Sequence, residues 1–204
     1  MRNATRWMIT MAAVAALAAA IGCAKPPQVE IDAVGEALQQ ADLAEAATYA
    51  PEELEAARES QRMAVAEIEA QKERFALSRS YDKAKELLQK TMTEAEAARA
   101  AAVENREAAL ASANQAVESL AVQLATAEAD LVELAKCRRA PKGFAQDLEL
   151  MRGKVEALVG QLTELDAEIA SERYKSALEL AESIEPEMAA VATDLSTARA
   201  KLGC

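Results

Sequence analysis

From Leu148 to Ile169 apolar side chains recur three and four residues apart without a miss: Leu148, Met151, Val155, Leu158, Leu162, Leu165 and Ile169. Tyr174, Ala177, Ala181, Ile184, Met188, Val191, Leu195, Ala198 and Leu202 continue in the same manner. On an α-helix this alternation gathers the apolar groups into one stripe, and paired stripes bury each other as a left-handed coiled coil. A strand, whose side chains alternate with period two, would scatter them over both faces. Upstream, Val103, Leu110, Val117, Leu124 and Leu131 stand seven apart, with Ala113, Leu120, Ala127 and Leu134 in the companion positions. Earlier still the seam thins to Leu54, Ala57, Ala64, Ile68 and Phe75, interrupted by Gln61 and Gln71. Ile31, Val34, Leu38 and Ala41 suggest a further short helix before Tyr49.

Composition points the same way. The 204 residues include 51 alanines, 6 glycines, 5 prolines and no histidine. Alanine, Leu, Glu, Gln, Lys and Arg are the strongest helix formers, and the scarcity of aromatic and β-branched residues disfavours sheets. The fold class expected is therefore all-α: elongated antiparallel helical hairpins with coiled-coil packing, two imperfect repeats sharing one long helix. Without histidine there is no imidazole base, no histidine-dependent triad and no histidine-ligated metal, so neither a metal nor a cofactor is expected. A formal net charge of −11 argues against nucleic acid as a partner. Carboxylate pairs of the glycosidase kind need a cleft, which thin hairpins do not offer. Acid runs such as Glu52-Glu53 and Glu94/Glu96 read as first-turn charges and solvated helix faces. The chain is not expected to be an enzyme.

Punctuation sets the organisation. Pro51 and Pro141 each follow an alanine and suit the first turn of a helix. No proline or glycine falls between Tyr81 and Lys136, which allows one helix of up to ~84 Å at 1.5 Å per residue. Pro186 interrupts no part of the apolar phase from Ile184 to Met188, so it reads as a kink within a continuing helix. Gly153 and Gly160, seven apart and off the seam, permit either close helix contact or a mildly weakened solvent face. The two proline sites introduce a repeat. Tyr81-Asp82-Lys83-Ala84-Lys85-Glu86-Leu87 matches Tyr174-Lys175-Ser176-Ala177-Leu178-Glu179-Leu180 in Tyr, Ala, Glu and Leu, with Ser78 and Ser171 three residues before each tyrosine. Each unit is a helical hairpin with a polar corner, at Ser78–Ser80 or Ser171–Arg173, and a tyrosine whose ring is buried while its hydroxyl stays wet.

The N-terminus has a different character. Arg2 and Arg6 precede fifteen uncharged residues, Trp7–Ile21, and the run closes at Ala20-Ile21-Gly22-Cys23. A basic start, a short apolar stretch and small residues before a cut describe an export signal. The Gly22-Cys23 ending resembles the bacterial lipobox, in which the cysteine is acylated and becomes the new N-terminus, although Ala20 stands where leucine is usual. An ordinary signal cut nearby and an uncleaved anchor are the alternatives. The expected organisation is a lipoprotein signal over 1–22, a lipidated Cys23 with a tether over 23–30, a first hairpin region with the long helix over 31–136, and a second hairpin over 137–204. The implied location is the bacterial envelope, with the protein lipid-anchored to the membrane. Ala24 in place of aspartate favours the outer membrane, facing the periplasm. Loss of Arg2 and Arg6 would leave 21 basic against 34 acidic residues, so the mature chain should project from the membrane rather than lie along it.

Ala47-Thr48-Tyr49-Ala50-Pro51-Glu52-Glu53-Leu54, followed by Ala57 and Tyr81-Asp82-Lys83-Ala84, resembles a family of alanine-rich domains of unknown function. That family occurs in bacterial envelope lipoproteins, sometimes beside peptidoglycan-binding modules. The similarity spans about Ile31–Ala102, and the second half, from Cys137, is a weaker copy. The resemblance implies an envelope lipoprotein built of helical hairpins and supplies no catalytic residue. Contact with peptidoglycan is left open.

Cys137 and Cys204 lie at similar distances before and after the Ser171–Arg173 corner, so antiparallel arms bring them to one end of the hairpin. In an oxidising compartment such a pair forms a disulfide. Free thiols and an interchain bond through Cys204 are the alternatives. Lys136, Arg138, Arg139 and Lys142 cluster at the junction of the hairpins. They could dock an anionic partner, or simply place cations near a helix C-terminus. The function expected is a scaffolding rod that meets protein partners through its helix faces. The alternative is an accessory module whose open alanine seam, Glu94–Ala116, accepts another helix from a partner or a second copy.

Overall fold

A computed structural model describes residues 24–137 and 141–203 of the protein. Among them are six α-helices: α1 (Gln28–Leu43), α2 (Ala46–Tyr49), α3 (Pro51–Glu73), α4 (Asp82–Ala135), α5 (Phe144–Ala170) and α6 (Tyr174–Leu202). A 3₁₀ turn occupies Ala76–Ser78, and the described residues contain no strand. The all-α class, the hairpins and the shared long helix are all present. The chain divides into two compact units, with the boundary inside α4 between Val103 and Glu104. The boundary expected at 136/137 is thus displaced by half a helix. Large apolar residues from Leu120 to Leu134 on α4 bury themselves with α5 and α6, which draws that half of the helix into the second unit.

In the first unit α1, α2 and α3 fold against one another and against the first part of α4. Buried residues are Val34, Leu38 and Ala41 on α1, then Leu54, Ala57, Ser60, Ala64, Ile68 and Gln71 on α3. Arg58 of α3 reaches Asp42 of α1 at 3.0 Å, and Lys85 of α4 lies 3.7 Å from Glu30 of α1. Fifteen residues forward from Arg58 is Glu73, and fifteen back from Asp42 is Pro27. The last turn of α3 therefore lies level with the first turn of α1. The tether expected over 23–30 is shorter: α1 already begins at Gln28, and the buried Pro27 accepts the Ile31 N–H at its carbonyl.

The second unit is a three-stemmed bundle of the last part of α4 with α5 and α6. Lys154–Asp194 at 2.6 Å and Gln161–Glu187 at 3.1 Å join α5 to α6. Seven residues forward on one helix matches seven back on the other, which is antiparallel register. Between α4 and α6 the pairs Arg106–Tyr174 and Asp130–Arg199 both run forward, which is parallel. Every seam residue expected on α5 and α6 is buried or partly buried.

On α4 the buried positions are Ala84, Leu88, Thr91, Ala95, Ala98, Ala102, Ala109, Ala113, Leu120, Leu124, Ala127, Leu131 and Leu134. Two expectations change. Val103 is 45% exposed and Ala102 takes its place. On a straight helix at 100° per residue, Val103 points about 80° away from Leu131, whereas Ala102 points about 20° away. An exact period of seven drifts round a helix, and over four heptads the drift decides which neighbour faces inward. Secondly, the alanine seam over Glu94–Ala116 is not open: Ala95, Ala98, Ala102, Ala109 and Ala113 are all buried.

Two smaller expectations also change, at Phe75 and Pro141, and the glycines of α5 take the second of their two readings. Phe75, expected in the seam, is 74% exposed because α3 ends at Glu73 and helical phase carries no meaning past that point. Pro51 opens α3 as expected, but Pro141 sits in a turn three residues before α5, where Gly143 adopts φ +94°. Gly153 and Gly160 make no close helix contact, since a methyl group on either would meet nothing within 4 Å. Each only weakens an exposed stretch of helix, by about 1 kcal/mol relative to alanine. Pro186 lies on the exposed face of an uninterrupted α6, where the carbonyl it leaves unbonded can be hydrated.

Candidate functional site

Cys23, Arg138, Arg139 and Cys204 lie outside the described residues. Cys137 follows the end of α4 and is disulfide-bonded. Lys136, in the same turn, is spent locally: its ammonium lies 2.8 Å from Glu133. That hydrogen bond, with the accompanying charge, holds the Glu133 carboxyl below its usual range. Lys142 is exposed in the turn before α5. The two described members of the basic cluster are thus a helix-end cation and a solvated turn residue, with no shared ligand site between them.

The two tyrosine corners differ in build. At the second, Arg173 grips Glu168 through two hydrogen bonds of 2.6 and 2.7 Å, closing the turn while Glu172 adopts φ +60°. The hydrogen bonds from Arg173 lower the Glu168 pKa. Their contribution to stability is complete above the ordinary carboxylate range and is lost as pH falls through the lowered value. Arg106 of α4 pairs with Glu172 and stands 5.0 Å from the centre of the Tyr174 ring, a cation–π geometry.

The first corner is longer, running from Arg74 to Tyr81, and is not the purely polar Ser78–Ser80 turn expected. Gln71 is buried there for a reason: its Oε1 accepts the Ser80 N–H at 3.1 Å and its amide donates to Glu67 at 2.7 Å. Arg79 donates to the carbonyls of Arg74 and Lys72 at 3.0 and 2.8 Å, serving backbone acceptors left open at the end of α3. The Tyr81 ring is buried, as expected, but its hydroxyl is buried as well and has no partner among the described residues. Desolvating a hydroxyl without a replacement bond costs about 1–3 kcal/mol. Tyr81→Phe should therefore stabilise the protein by about 1 kcal/mol, read as a higher urea midpoint with an unchanged slope. A loss of stability would show that the hydroxyl is bonded after all.

The end of the first unit carries the feature that the sequence did not single out. Phe75 is 74% exposed and Leu77 70%, and Val29, in the first turn of α1 at the same end of the unit, is 79% exposed. Arg74 makes no ion pair among the described residues, and Arg79 is bound only to backbone carbonyls. Two adjacent cations without carboxylate partners are notable in so acidic a chain. The available signal was the Arg-Phe-Ala-Leu-Ser-Arg run at Arg74–Arg79, masked because Phe75 falls in phase with the α3 seam.

Elsewhere the surface offers open grooves, such as one of about 430 Å³ lined by Gly35, Leu38, Gln39, Asp42, Arg58, Gln61 and Arg62. Among the described residues no three metal-ligating side chains converge, and no helix is long and apolar enough to cross a membrane. The chain matches no family model, no curated protein and no solved structure.

Proposed function

We propose that the protein is a bacterial envelope lipoprotein, anchored through acylated Cys23, that acts as a non-enzymatic helical scaffold. The observation that carries this reading is the run from Arg2 and Arg6 through the uncharged Trp7–Ile21 to Gly22-Cys23, with the first helix of the described residues beginning only five residues later at Gln28. An apolar stretch of fifteen residues rises ~22 Å, short of a membrane span, so the cysteine supplies the hold. Two or more acyl chains give stable anchoring. The resemblance of Tyr49-Ala50-Pro51-Glu52-Glu53-Leu54 to alanine-rich envelope domains supports an envelope location, and Ala24 after Cys23 favours the outer membrane, facing the periplasm.

Partners in this reading are proteins met through the outer faces of the helices, since the long alanine seam is already buried within the chain. Cys137 and Cys204 join as an intrachain disulfide closing the second hairpin. Replacing Cys23 with serine should abolish incorporation of labelled palmitate and release the protein into the soluble fraction. Unchanged membrane retention without label would defeat the lipoprotein reading in favour of an uncleaved anchor.

A further inference from the structure

We propose that the exposed end of the first unit, built from Arg74, Phe75, Leu77 and Arg79 with Val29 in the first turn of α1 at the same end, is a contact tip that seats in an anionic phospholipid surface. The inference rests on the membrane anchoring proposed above and adds to it a second point of attachment with its own chemistry. Its first support is position. The register set by Arg58–Asp42 and Glu30–Lys85 places the last turn of α3 and the first turn of α4 at the same end of the unit as Gln28. Four residues separate Cys23 from Gln28, so a tether there holds this end, and not the opposite one, at the membrane.

The second support is composition at that end. Phe75, Leu77 and Val29 are the most exposed large apolar residues of the unit together with Leu43, which lies at the far end of α1. An aromatic and aliphatic pair flanked by cations is the pattern of side chains that enter the boundary between headgroups and acyl chains, apolar groups inward and guanidinium groups at the phosphates. The third support is charge. Among the described residues Arg74 has no acidic partner and Arg79 bonds only backbone carbonyls, so no carboxylate offsets either charge against lipid phosphate. The rest of the chain is acidic and repelled by the same surface, which favours contact by the end and disfavours contact along the sides.

The test uses the single tryptophan of the chain, Trp7. In the full chain carrying Trp7→Phe, a new tryptophan is placed either at the tip (Phe75→Trp) or at the opposite end of α1 (Leu43→Trp). Each protein is expressed in a bacterial host, extracted from membranes and reconstituted into phosphatidylglycerol/phosphatidylethanolamine vesicles, with and without lipid brominated near the headgroup. Flotation with the vesicles reports the anchor, and quenching reports the tip. The expected result is flotation of both, quenching of the tip tryptophan by about half, and little change at position 43, since entry is limited to about 5–10 Å. Phosphatidylcholine in place of phosphatidylglycerol, or Arg74→Glu, should weaken quenching while flotation persists. Flotation with neither position quenched overturns the tip and leaves the anchor standing. Quenching at both positions overturns end-on contact, and absence of flotation overturns anchor and tip together. Concentration-dependent burial of the tip tryptophan without vesicles assigns the surface to a second copy instead.

Discussion

Leu165→Ala should lower the unfolding free energy by about 3–4 kcal/mol, the range found when a fully buried leucine is cut back in a core that cannot collapse to fill the space. Leu165 is completely buried between α5 and its neighbours in the second unit, with Leu158 and Ile184 in the same cluster. A narrow helical bundle has one layer of core, so no second shell of side chains can move inward. The comparison that isolates burial is Leu150→Ala on the same helix, where the side chain is 69% exposed and the expected cost is below about 0.5 kcal/mol. Urea unfolding followed by circular dichroism measures both. A loss under about 1 kcal/mol at Leu165 would show that the bundle is loosely packed.

Ala98→Leu should destabilise by about 2–3 kcal/mol, because added methylenes in a filled seam force side chains off their rotamers or push helices apart. Ala98 has no exposed surface, whereas Ala97, one residue earlier, faces solvent. Leucine and alanine differ little in helix propensity, so Ala97→Leu should be close to neutral and any difference between the two variants reports packing alone. The pair of variants also decides between scaffold and accessory module. Were the seam an empty groove awaiting a partner helix, leucine at position 98 would be harmless or mildly stabilising.

These residues also show where the sequence was readable. On α5 and α6 every seam position carries Leu, Ile, Val, Met, Tyr or Ala against polar neighbours, so the stripe is unambiguous and the structure buries it as read. In the first half of α4 alanine occupies both faces: Ala95, Ala98 and Ala102 are buried while Ala97 and Ala100 are exposed. Hydrophobic periodicity cannot distinguish an inward alanine from an outward one, so from sequence alone a covered seam and an open one look the same there. Phe75 failed for a different reason. Its spacing fits the stripe, but Arg79 and Gln71 bond the backbone of the corner and end α3 before that residue is reached. Hydrogen bonds of that kind leave no periodic trace. The same in-phase spacing of Phe75 conceals the tip at the end of the first unit.

The alanine seam of α4 has a thermal consequence. Alanine gives up no rotamer freedom when buried, so ordering it costs less than ordering leucine, and it also hides less apolar surface. The heat-capacity increment of unfolding follows that surface. A helix seam of Ala84, Ala95, Ala98 and Ala102 therefore contributes a smaller increment than a leucine seam of equal length, and the stability curve of this part of the chain should be correspondingly flat across temperature.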